Sequence, residues 1–148
     1  MKHATTKKHR YVEWISPEEM HLEALSWISE LMFARDEQQF LNDMVKTYTL
    51  QLTDKNIFDE SRKIVSGIAD AEHRLTALLK LVQAHENQLE IMVDDLDQPK
   101  MEKAYKESHR DLISQIDEYL TDYRKLKKQL FGMLTKVMKK EKQKRLLN

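Results

Sequence analysis

The sequence predicts an all-α fold, an elongated antiparallel three-helix bundle with coiled-coil-like heptad packing. Three observations lead there. Apolar residues recur at alternating spacings of four and three in three long stretches. Two short polar breaks separate the stretches, and the 148 residues include only 2 Gly and 2 Pro. Charged side chains make up 34% of the chain, a composition suited to long solvated helices. A 4,3 repeat held over many turns marks a helix with one continuous buried seam.

Residues 1–15 are expected to precede the folded unit. Lys2, Lys7, Lys8 and Arg10 make the first ten residues basic without an acid, a pattern that supports no packed core. Residues 16–148 then form a single bundle. Ser16-Pro17-Glu18-Glu19 is a helix start, with Ser16 as cap, Pro17 at the first helical position and Glu19 completing a capping box. Helix one is expected over about 17–52, its seam running through Met20, Ala24, Trp27, Leu31, Ala34, Gln38, Leu41, Val45, Tyr48 and Leu52. Thr53, Asp54 and Asn56 break it, and either Asp54 or Asn56 suits the cap of the next helix. Helix two follows over about 57–93, with Ser61, Ile64, Ile68, Ala71, Leu75, Leu78, Val82, His85, Leu89 and Met92 on its seam and Leu96 continuing the series. Asp94, Asp95, Asp97 and Pro99 break the chain again. Helix three is expected over about 99–142 through Tyr105, His109, Leu112, Ile116, Tyr119, Tyr123, Leu126, Leu130, Met133 and Val137.

Short breaks make sequential helices antiparallel neighbours. Folding at them stacks Trp27/Val82/Leu112, Ala34/Leu75/Tyr119 and Gln38/Ala71/Tyr123 into common layers, so that each tyrosine meets a small residue. Gln38 is thereby set opposite Tyr123 as a polar pair that fixes register.

Composition excludes several functions. Without cysteine there are no disulfides, thiolate nucleophiles or Cys-ligated zinc. No apolar leader opens the sequence and no run approaches the roughly 18 apolar residues of a membrane span, so a cytoplasmic protein is expected. Gly67 and Gly132 both fall inside helices, leaving no glycine-rich phosphate loop. No catalytic residues and no cofactor are expected.

Helix one is more apolar than three helices require. Leu22, Leu25, Met32, Phe33, Phe40 and Met44 fall mostly away from the seam, and such a stripe marks an interface. Three occupants compete: a second copy in a homodimer, the segment Tyr11–Ile15 folded back as a cover, or a partner helix docking on Phe and Met anchors.

Two polar features complete the inventory. His85 and His109 share a seam layer, with His21 one turn away and Glu23, Glu86 and Glu107 near. Histidines at a bundle end are usually solvated or bonded to carboxylates; a pH-sensitive layer or a metal site on His21, His85 and His109 are the alternatives. Lys136, Lys139, Lys140, Lys142, Lys144 and Arg145 crowd the end of helix three. Cations there favour the helix dipole, and they also suit phosphate contact with nucleic acid or an anionic membrane. Phe131 and Tyr123 are the only aromatics nearby, so no base-stacking platform accompanies them. The function expected is therefore a non-enzymatic bundle acting by protein–protein contact or self-association through helix one. A nucleic-acid-binding accessory protein and a metal-binding bundle are the rivals.

Overall fold

The computed structural model describes residues 14–94 and 99–147 as a helical bundle without strands. Its elements are α1 (Pro17–Thr47), the single turn α2 (Thr49–Leu52), α3 (Phe58–Asp94) and α4 (Pro99–Leu147). Helix one of the sequence reading thus becomes α1 plus α2, helix two is α3 and helix three is α4. No helix among the described residues is long and apolar enough to cross a membrane.

α1 starts as the sequence dictates. Ser16 is extended, its hydroxyl accepts from the Glu19 N–H at 3.1 Å, and Pro17 opens the first turn. Ile15, just before the cap, is buried in one cluster with Met20, the arrangement of a hydrophobic staple. The helix does not run unbroken to Leu52. Thr47 and Thr49 turn their hydroxyls back onto the carbonyls of Asp43 and Val45 at 2.9 and 3.0 Å, a competition that bends helices, and the chain breaks at Tyr48. α3 starts at Phe58, and before it the Asp54 carboxylate accepts from the Asn56 N–H at 2.9 Å, tightening the turn. The buried Ser61 hydroxyl then donates to the Leu52 carbonyl at 2.6 Å and closes the α1–α3 hairpin.

α3 is the central helix. Its seam is buried from Ser61 to Met92, and α1 and α4 each pack mainly on it while touching one another sparingly. The main core joins Leu31, Ala34 and Leu41 of α1, Ile68, Leu75 and Val82 of α3, and Leu112, Ile116, Leu130 and Val137 of α4. A second cluster, Ile15, Met20, Ala24, Leu89, Met92 and Ile113, fills the other end, and Trp27 packs against both. Leu96 lies outside the described residues.

The α1–α4 register differs from the expected one by about a turn. Gln38 donates to the Tyr119 hydroxyl at 2.7 Å, and Tyr123 donates instead to Glu37 at 2.6 Å. Long polar and aromatic side chains cross the wider α1–α4 gap diagonally, so simple layer counting misplaces them. The α3–α4 register is as expected, with His85 against His109.

The two glycines have opposite roles. A Cβ on Gly67 would lie 2.6 Å from Leu126 Cδ2, so the missing side chain admits Leu126 between α3 and α4. Around Gly132 nothing lies within 4 Å. Gly132→Ala is therefore expected to stabilise by about 0.5–1 kcal/mol through helix propensity alone. Gly67→Ala must displace Leu126, and is expected to remain less stable than Gly132→Ala. Urea unfolding followed by circular dichroism compares the two.

Candidate functional site

Two regions of the bundle carry side chains that the aliphatic seam does not account for. The first is the outer face of α1. Phe33 is 68% exposed, Leu22 65% and Phe40 57%, and Leu25 and Met32 are also exposed. These residues recur at the spacing of one helix face, opposite the buried Met20, Ala24, Leu31, Ala34, Gln38 and Leu41. Met44 departs from the expected set, being half-buried and packed against the main core. The cover segment is described only at Trp14 and Ile15. Trp14 is exposed and Ile15 packs at the Met20 end of the bundle, so neither screens Phe33 or Phe40. Tyr11, Val12 and Glu13 lie outside the described residues.

The second region is the histidine end. His85 Nε2 and His109 Nδ1 are 2.9 Å apart, both rings are buried, and Trp27 stacks on His109 with ring centres 4.4 Å apart. Glu23 Oε1 faces His109 Nε2 at 3.6 Å. That carboxylate favours the proton on His109 Nε2. His109 Nδ1 then accepts from His85 Nε2–H, and His85 Nδ1 is left as a buried lone pair with no hydrogen-bond partner. The facing nitrogens are bonded to each other, and His21 gathers with Glu86 and Glu90 instead, so the expected grouping of His21 with His85 and His109 does not form a common centre. His21 turns outward and bonds Glu86 at 2.9 Å. Glu107 is exposed.

Burial sets the charge state of the pair. It pushes His85 down to about 4 and His109 down to about 3, the latter with a further push from His85. Between α1 and α4 a second polar cluster is built on Glu37. Burial raises its carboxyl, but the Tyr123 hydroxyl and Lys127 ammonium outweigh that, and the net shift is downward. Burial pushes Tyr119 up to about 12, and Tyr123 is raised as well, by burial and by Glu37. Both phenols therefore act as neutral hydrogen-bonding groups.

The six basic residues at the end of α4 are all exposed, and among the described residues only Lys144 of the six has an ion-pair partner, Glu141 at 3.9 Å. Beside them a notch of about 690 Å³ opens between α4 and the α2 turn, floored by Leu50, Ile57, Met133 and Val137. Lys136, Lys139, Lys140 and Lys144 line it, whereas Lys142 and Arg145 point elsewhere.

Sequence reasoning missed Trp27 as the lid of the histidine pair and Glu37 as the anchor of Tyr123. Hydrophobic spacing places Trp27 in the Val82/Leu112 layer, and its width lets it reach the neighbouring one. Glu37 sits beside a seam residue, a position from which a long carboxylate bridges to the next helix, but surface acids at such positions are common. Compared with protein-family models, curated proteins and solved structures, the chain matches none.

The histidine pair makes stability pH-dependent. Unfolding restores ordinary imidazoles near 6.5, so the unfolded chain takes up protons first. Stability is fully present above about pH 6.5 and falls as pH drops from there toward 4, by a few kcal/mol for the two groups together, partly offset by Glu23. In His85→Leu/His109→Leu this slope is expected to flatten, as read by urea midpoints measured between pH 7 and pH 5.

Proposed function

We propose that the chain is a non-enzymatic interaction module that self-associates through the outer face of α1. The carrying observation is the set of exposed Leu22, Leu25, Met32, Phe33 and Phe40 on the side of α1 away from the core. From Leu22 to Phe40 the stripe is about 27 Å long. A two-fold dimer sets the same patch of both copies together, so every apolar side chain meets an apolar neighbour without a specialised partner. Fully burying a side chain of this kind contributes about 1.5–3 kcal/mol. The acid–base groups with the most unusual surroundings, His85 and His109, are sealed beneath Trp27 where a substrate has no access. That favours contact over catalysis as the working mode.

Light scattering on the eluting full chain is expected to give about twice 17.7 kDa. Phe33→Glu/Phe40→Glu is expected to give the monomer mass with unchanged helicity, since both side chains point away from the core. A wild-type chain that stays monomeric at high micromolar concentration would sink the proposal.

A second reading rests on the basic end of α4, where five of the six cations have no acidic partner among the described residues. Phosphate contacts by such a cluster give an affinity that falls steeply with salt. Fluorescence anisotropy with labelled RNA and DNA tests it. Salt-dependent binding lost in Lys136→Glu/Lys139→Glu/Lys140→Glu is the expected signature, and absence of binding at low salt dismisses nucleic acid.

A further inference from the structure

We propose that His21, Glu86 and Glu90 form a binding site for a divalent transition-metal cation, zinc above all, that clamps α1 to α3. His21 lies in the second turn of α1. Glu86 and Glu90 are one turn apart on α3, the spacing that stacks two side chains on one helix face. One ligand atom from each of the three lies within 4.8 Å of the others, and His21 Nε2 is already 2.9 Å from Glu86 Oε1. Donors around a tetrahedral zinc at ~2.0–2.1 Å are roughly 3.3 Å from one another. Side-chain rotation on fixed helices closes that difference.

Charge points the same way. The Glu86 side chain is only 14% exposed, its hydrogen-bond partner is His21, and no Lys or Arg is paired with Glu86 or Glu90 among the described residues. A neutral imidazole with two carboxylates carries two negative charges, which a divalent cation cancels. One nitrogen and two oxygens from the protein suit zinc, whereas calcium and magnesium favour all-oxygen sites with six or more ligands. Glu90 is exposed, so water completes the coordination from its side. This site is distinct from the His85–His109 pair, whose facing nitrogens are bonded to each other. It is also independent of the self-association reading.

The test is a calorimetric titration of the full chain with Zn²⁺ alone, in a non-chelating buffer. His3, His9 and His73 are first removed as competing ligands in His3→Asn/His9→Asn/His73→Asn. In that background one equivalent of zinc is expected to bind and to raise Tm. Glu90→Gln changes an exposed position and leaves the His21–Glu86 bond in place; it is expected to weaken binding about tenfold or more and to abolish the Tm rise. His21→Asn is expected to do the same, with helicity retained in both. No binding at millimolar zinc in the background protein, or binding that Glu90→Gln leaves unchanged, would overturn the proposal.

Discussion

A bundle whose seam repeats every seven residues can slide by one repeat and bury nearly the same apolar surface. The buried polar pairs of this chain forbid the slip. Gln38 is wholly buried and donates to Tyr119, and His109, equally buried, is bonded to His85. Moving α4 by a heptad would set the Gln38 amide against aliphatic side chains and leave both imidazoles without partners. Each orphaned group costs about 1–3 kcal/mol. That is a large fraction of the stability of a domain this size. The aliphatic seam thus supplies the gain on folding, and the polar pairs decide which of several similar packings is reached.

These pairs also account for the looser association of α1 with α4. Both helices lie close against α3, where Gly67 admits Leu126 and the seam is mostly aliphatic. Across the α1–α4 gap the contacts are Gln38 to Tyr119, Glu37 to Tyr123 and Lys127, and Trp27 to His109. Those side chains reach farther than leucine and bridge the gap where the backbones stand apart, although Gln38 Oε1 stays buried without a hydrogen-bond partner. The ring of Tyr123 also lies under the Lys127 ammonium, and that of Tyr119 under Arg74. Arg74 in turn bonds Asp122 at 3.0 Å, tying α3 to α4 at the rim of the same layer.

The three long helices, their order and their polarity were legible because a 4,3 repeat has one physical solution, a helix with a buried stripe. The α3–α4 register was legible too, because a short break leaves little freedom where the chain reverses. Residues beside the seam were harder to read. Leu79, Ile113 and Leu134 are buried although they lie off the 4,3 series, since a helix held between neighbours buries more than a two-position stripe. Met44 was read as part of the outer face, and its flexible thioether side chain lets it turn toward the core instead. The break at Tyr48 left no signal in hydrophobic spacing; it comes from threonine hydroxyls competing for carbonyls. The His21–Glu86–Glu90 grouping was half legible: Glu86 was placed near His21, but Glu90 was not, because its position depends on the rotation of α3 about its own axis.

The unequal lengths of α3 and α4 have a mechanical consequence. α4 has 49 residues against 37 in α3, and its last turns project past the α1–α3 hairpin by roughly 15 Å. The cations ride on that projection, at the far end of a stiff rod whose residues 11–123 hold 24 acidic side chains against 11 Lys and Arg. Charge separated along a rigid axis gives the molecule a long dipolar lever arm. In the field of any anionic surface it would feel a torque before it felt a contact, and would arrive with the tip of α4 first. Shortening α4 by three turns would remove little of the core, yet would take five cations from that tip.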